Sequence, residues 1–256
     1  MTSDLKAPAY LSPSSIGTYQ QCPLKFKYSR IDRLPEPPTE ATLMGNFVHD
    51  VLEMMYGLPP ENRTLDIARE LSRQAWTQEW QEKVSQLISD PAQQRTFRWN
   101  SWWCIESLWN LEDPQLVEPK GIEFELNGLL SGVAMKGFID RWSHTESDRI
   151  LISDYKTGKT PKPHYAGDKF FQLLVYACLM KELNLGDVEA VELLYLKDGK
   201  RLRQEVTQND LDGTVEVVVK TKASIDADCE RGQFAPTPTR LCDWCSFKSI
   251  CPAWKK

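Results

Sequence analysis

The sequence predicts an α/β fold, and three observations carry the prediction. Helix-period sequence fills residues 10–116. Alternating, strand-like sequence begins near residue 117 and encloses a further helix. From Gln233 onward the chain is rich in proline and cysteine and loses its periodicity. The expected organisation is a helical region (10–116), an α/β core (117–232) and a cysteine-bearing tail (233–256). Periodicity and spacing leave the order of strands in the sheet open.

Ser12-Pro13 reads as an N-cap followed by proline at the first helical position, opening a short helix to about Cys22-Pro23. LPEPPTE (34–40) is a proline-rich connector. The next helix, about Thr42 to Tyr56, carries Leu43, Phe47, Val51 and Met55 on one face. Two long helices follow, about 64–89 and 91–111, bearing Trp76, Trp80, Trp99, Trp102, Trp103 and Trp109. Such stripes are usually packing surfaces; the alternative is a stacking surface for unpaired bases. IEFELNGLLSG alternates and holds Asn127-Gly128, a hairpin signal. VAMKGFIDRW and RILISDYK read as the next strands, and residues 167–185 as a helix. VELLYLKDGKRLRQEV reads as a hairpin turning at Asp198-Gly199, and residues 210–231 as a final helix.

A chain of 256 residues can bury a substantial core as one domain or as one domain with an appendage. No run of eighteen apolar residues is present, so no membrane span is expected. The stretch MTSDLKAPAYLSPSS lacks a charged head followed by an apolar run, so a cytoplasmic protein is expected. The net charge of −5 argues weakly against nucleic acid. Local clusters matter more: Lys25, Lys27, Arg30 and Arg33; Lys156, Lys159, Lys162 and Lys169; Lys197, Lys200, Arg201 and Arg203. Each cluster taken singly reads as a solvated face. A carboxylate metal site itself needs local acid, so a mildly acidic total leaves one open.

ISDYKTGKT (152–160) ends like a phosphate-binding P-loop, but the spacing excludes one. That loop needs a glycine five residues before Gly158; Ser153 stands there, and Asp154 within the loop would repel phosphates. The other reading is a strand delivering Asp154 and, two residues on, Lys156 to the same face. Asp140 ends the preceding strand, KGFID. If the strands are neighbours, Asp140 and Asp154 converge, and hard oxygen ligands suit Mg²⁺ or Mn²⁺. A nearby ammonium positions a metal-bound water and stabilises developing phosphorane charge. The plain alternative is two surface aspartates and a salt-bridged lysine. Gln172 and Tyr176 stand four apart on one helix face, and His49 lies on an earlier helix.

GFIDR (137–141), DYKTGK (154–159), Gln172-x-x-x-Tyr176 and Gly45-x-x-x-His49 together resemble the RecB-like branch of the PD-(D/E)xK nucleases. LSPSSIGTYQQCPLKFKY resembles the start of that branch's iron–sulfur members, such as the AddB nuclease domain and the nucleases of CRISPR adaptation. The resemblance implies a restriction-endonuclease-like core, a central mixed sheet flanked by helices. It implies Asp140, Asp154 and His49 as metal ligands, with the Tyr155 backbone carbonyl, and Lys156 as the catalytic lysine. Gln172 and Tyr176 would position substrate. Many relatives have Glu where this chain has Asp154. Glu123 or Glu125, on the strand before, would add a carboxylate.

Cys104, Cys178 and Cys229, alone in helix-like sequence, read as small core residues. Cys242-x-x-Cys245 lets two thiolates reach one metal or cluster, Cys251 adds a third, and Cys22 is the best fourth candidate. The family branch has this arrangement around a [4Fe–4S] cluster, which the resemblance implies here. Zinc is the lesser alternative, since structural zinc sites more often use two such knuckles.

The expected function is therefore a metal-dependent DNA exonuclease acting on single-stranded ends, in repair, recombination or defence. Two rivals stand beside it. One is a non-catalytic nucleic-acid-binding module held by a cluster or zinc. The other is a nuclease subunit dependent on a separate helicase, since any ATP-driven unwinding would belong to a partner.

Overall fold

Five strands form one mixed sheet in chain order, β1 (Pro119–Leu130), β2 (Val133–His144), β3 (Ile150–Lys156), β4 (Val188–Tyr195) and β5 (Lys200–Glu205). All neighbours are antiparallel except β3 and β4, which are parallel and joined through helix α7 (Phe171–Glu182). A parallel pair requires such a crossover. The computed structural model describes residues 5–162 and 167–254, so the first four residues of the N-terminal stretch lie outside it.

The sheet is a middle layer between two cores. On one side α1 (Pro13–Gln21), α7 and α8 (Gln208–Arg231) cover Met135, Ile139, Ile152, Val191 and Leu193. On the other, α3 (Glu40–Tyr56), α4 (Leu65–Ala75), α5 (Gln78–Leu87) and α6 (Pro91–Glu106) bury Phe47, Val51, Met55 and Phe97 against Tyr155, Leu194 and Leu196. Successive side chains of β4 therefore enter opposite cores, which explains its near-continuous apolar run. No described helix is long and apolar enough to cross a membrane.

The first hairpin turns later than its sequence suggests. Asn127 and Gly128 lie inside β1, paired with Lys136 and Met135. The turn is Ser131-Gly132, with φ of 46° and 83°. Two positive φ values are what a two-residue hairpin loop of matching twist requires. Gly128 serves packing instead: a Cβ there would lie 3.3 Å from Leu183 and 3.4 Å from Leu179 of α7.

The expected helix over 64–89 is two helices. Trp76 leaves helical geometry with ψ of 59°, and Thr77 caps α5 by accepting from Trp80 N–H. The 91–111 segment is α6 followed by a 3₁₀ turn. α3 begins earlier than expected, because Thr39 forms a capping box with Thr42. The 167–185 segment is a 3₁₀ turn and then α7, and α8 begins at Gln208 behind the Thr207 cap. The second hairpin turns through Gly199, as expected. Cys104, Cys178 and Cys229 are buried. Trp80 is packed in the core, whereas Trp99 and Trp103 remain 64% and 52% exposed.

Candidate metal centre in the fork between two strands

β2 and β3 pair from His144–Ile150 to Arg141–Ser153 and then part. The next residues on the two arms are Asp140 and Asp154. The Tyr155 amide N–H, which has lost its ladder partner, donates to Asp140 Oδ2 at 2.8 Å. β3 remains paired with β4 as far as Lys156, so Asp154 and Lys156 sit on a supported strand. Alternation puts both on one face, with Lys156 Nζ 2.6 Å from Asp154 Oδ2. Both aspartates are buried.

Two further elements reach the fork. His49 on α3 places Nδ1 3.6 Å from Asp140 Oδ2 and 3.7 Å from Glu123 Oε1. Its Nε2 lies 3.0 Å from the Tyr155 carbonyl oxygen. A carbonyl only accepts, so Nε2 donates to it; burial alone would lower the imidazole, but Glu123 and then Asp140 at Nδ1 outweigh it and raise the ring to about 9, so both nitrogens carry protons at neutral pH. Glu123 has φ of 44°. Its neighbours Ile122 and Phe124 enter opposite cores, so β1 rolls over at this residue and turns the carboxylate toward His49. Gly45 lies one turn before His49; a Cβ there would meet Thr157, just after Lys156, at 3.6 Å.

Ligand atoms of His49, Glu123 and Asp140 lie within 4.8 Å of one another, a set suited to one divalent ion. Asp154 lies beside this set, paired with Lys156. Of the two glutamates weighed from sequence, Glu123 reaches the site. Glu125 pairs instead with Lys136 at 3.0 Å.

Burial, and next the charge of Asp154, push the Asp140 carboxyl up to about 7. Burial alone would lower the Lys156 ammonium, but Asp154 outweighs it and holds the group above its ordinary value. Lys156 is therefore a cation at neutral pH, a hydrogen-bond donor rather than a base.

Gln172 and Tyr176 come from α7 on the other side of β2. Gln172 Nε2 donates to the Tyr176 hydroxyl at 3.1 Å. Burial pushes this phenol up to about 12, so it stays protonated, with its own hydrogen left to donate. Tyr176 lies flat against Gly137, where a Cβ would fall 2.4 Å from its ring. That contact explains the glycine of GFID in physical terms.

A family model described as the PD-(D/E)XK nuclease superfamily matches residues 10–252. The chain belongs to the PD-(D/E)XK nuclease superfamily. Asp140 and then Asp154-Tyr155-Lys156 follow the order of the acid and the acid-x-lysine in that name, and all lie at the fork. Nucleases of this superfamily use divalent metal ions, and the carboxylate–imidazole set is the candidate site for one here. The chain is 26% identical over 289 residues to the Gene 69 protein of Mycobacterium phage L5, covering 95% of this chain and 96% of that one. It is 27% identical over 277 residues to the Gene 69 protein of Mycobacterium phage D29, covering 95% and 97%. A crystal structure named "Putative exonuclease" from Eubacterium rectale aligns with TM-score 0.50 at 17% identity, over 92% of this chain and 86% of that one, and shows a shared fold.

This superfamily member carries a second polar centre at its termini. Cys22, between α1 and α2 (Pro23–Phe26), and Cys242, Cys245 and Cys251 of the tail line one cavity of about 220 Å³ with Tyr28, Trp244 and Phe247. None is in a disulfide. The Thr237 amide donates to Cys22 Sγ at 3.4 Å, across 215 residues, and Thr239 N–H donates to Cys242 Sγ at 3.3 Å.

Sequence reasoning missed the ionic network behind the fork. Arg141, 1% exposed, pairs with Glu112 and lies 3.7 Å from Glu192. Its guanidinium lies against the rings of Tyr56 and Tyr155, 4.7 and 5.6 Å from their centroids. Ser153 bridges Arg141 to Glu192, and Arg201 reaches Glu192 at 3.3 Å. Arg141 stood inside a quoted motif, but Glu112 and Glu192 look in sequence like solvated charges.

Proposed function

We propose that the protein is a RecB-like DNA exonuclease that digests single-stranded ends with Mg²⁺ or Mn²⁺. The observation that carries this reading is the convergence of Asp140, Asp154 and Lys156, with His49 and Glu123, where β2 and β3 part. His49, Glu123 and Asp140 would hold the ion, with Asp154 and the Tyr155 carbonyl beside them. A bound divalent ion supplies a water of lowered pKa and polarises the phosphoryl oxygens. The chain's own groups do the rest. Lys156, kept cationic by Asp154, donates to the attacking water or to a phosphoryl oxygen as negative charge builds. Tyr176, braced by Gln172, offers its hydroxyl hydrogen to the substrate backbone.

The four terminal cysteines would hold a [4Fe–4S] cluster with a structural role. A single tetrahedral zinc with bonds of about 2.3 Å would draw its thiolates to within roughly 4 Å of one another. Among the described residues, the ligand atoms gathered in threes within 4.8 Å are those of His49, Glu123 and Asp140, so no three of these thiols lie that close together. The cavity between them and the amide donors on sulfur suit a larger, thiolate-bound group. The setting is a cytoplasm, in repair, recombination or defence. Any ATP-driven unwinding would belong to a partner.

The test is incubation of anaerobically purified protein with linear single strands labelled at either end, and with circular single strands, in Mn²⁺. Linear strands should be shortened from an end, circles should survive, and Asp154→Ala should do neither. Cutting by Asp154→Ala at the wild-type rate would remove the site assignment. Degradation of circles would replace the exonuclease with an endonuclease.

A further inference from the structure

Past the fork, one edge of β2 has no neighbouring strand until Leu11, whose N–H and C=O bond Ala134 and Lys136. The gap opens as a groove of about 410 Å³ beside the metal centre, walled by Tyr10, Arg30, Lys136, Phe138, Gln172 and Tyr176. Met135 and Ile139 of β2 enter the core below, and Gly137 lies against Tyr176. Phe138 and Lys136 alternate with them and point outward, two and four residues from Asp140 along the strand.

Phe138 is 45% exposed and Tyr10 52%. Lys136 Nζ lies 6.0 Å from the Tyr10 ring centre and 5.5 Å from that of Phe138, and Glu125 fixes it at 3.0 Å. Arg30 is exposed on the same wall. Two outward aromatic faces beside two cations form the pattern that grips an unpaired strand: rings stack on bases, and cations meet phosphates. A duplex keeps its base faces inside the stack, so such rings would have nothing to meet.

We propose that this groove holds the unpaired DNA strand beside the metal centre, with a base stacked on Phe138 and phosphates met by Lys136 and Arg30. The proposal rests on the nuclease reading and adds a basis for single-strand preference. Phe138 carries the stacking, Tyr10 closes the far wall, and Lys136 is held between them.

The test is a fluorescence binding titration of the full-length protein in EDTA, where no cutting occurs. The probes are oligothymidine, the same oligonucleotide with abasic residues near its ends, and a blunt duplex. Phe138→Ala should weaken oligothymidine binding about tenfold, leave the abasic probe and the duplex unchanged, and Phe138→Trp should restore binding. Lys136→Ala and Arg30→Ala should each reduce the slope of log affinity against log salt by about 0.7. Wild-type affinity of Phe138→Ala for oligothymidine overturns the proposal. Equal losses on the normal and abasic probes overturn it too, as does a dimer in solution that buries Tyr10 and Phe138. The nuclease reading fails separately, if wild-type protein in Mn²⁺ leaves every DNA intact while the Phe138 effect persists.

Discussion

Two buried ionic clusters adjoin at β2 and β3, and their charge balance separates them. Behind the strands, Arg141 and Arg201 face Glu112 and Glu192, with Ser153, Tyr56 and Tyr155 filling the remaining contacts. The charges of that cluster balance, two arginines against two glutamates. In front, Asp140, Asp154 and Glu123 face Lys156 as their one permanent cation, with His49 beside them. Three carboxylates against the lysine and the imidazole leave the front cluster short of positive charge, and burial, then the charge of Asp154, push Asp140 up to about 7. One residue along each strand separates them: Asp140 from Arg141, and Asp154 from Tyr155. A balanced buried cluster reads as architecture, and an unbalanced one as a binding site waiting for a cation.

The sharpest way to break this contrast is Asp140→Asn. The amide still accepts from Tyr155 N–H but removes a repelling charge. DNA cleavage should fall by about a thousandfold or more while the melting temperature stays level or rises. A drop in both would make the front cluster architectural as well.

Arg141→Met should do the reverse. It leaves two buried carboxylates with Arg201 as their remaining cation and should destabilise the protein by about 3–5 kcal/mol in a denaturant titration. At temperatures where the variant is folded, Mn²⁺ affinity should change far less.

Much of the front cluster was legible in the sequence, because strand period and spacing alone put Asp154 and Lys156 on one face. The back cluster was not. Glu112 sits just past a helical segment and Glu192 inside an apolar run, and no local pattern ties either to Arg141. Long-range pairing has no short-range signal. The same limit explains the misplaced first turn: Asn127-Gly128 carries a turn-like composition, but the glycine is set by α7 lying against it, a contact between elements distant in sequence. The Thr77 cap was readable locally and was masked by the continuous run of good helix formers around it.

A smaller effect sharpens the link between α7 and the fork. Gly137→Ala places a methyl 2.4 Å from the Tyr176 ring, so the ring must shift, at about 1–3 kcal/mol of stability. Cleavage should fall with it, because Tyr176 loses its aim.

The mildest test is pH. Metal binding needs an ionised Asp140, whose folded value stands at about 7. His49 must also lose its proton, and its folded value stands at about 9, so Mn²⁺ affinity should weaken by up to about tenfold per unit as pH falls from 9 to 7, and more steeply below 7 where Asp140 protonates too. An ordinary carboxylate would hold its affinity down to about pH 4.

Calorimetric titration of Mn²⁺ into the apoprotein at pH 6.5, in two buffers of different ionisation heat, tests the central claim most directly. The predicted result is saturable binding with proton release, lost in Asp140→Asn and Glu123→Gln and retained in a Glu125→Gln control. Wild-type binding in both Asp140→Asn and Glu123→Gln would place the ion elsewhere and contradict the account.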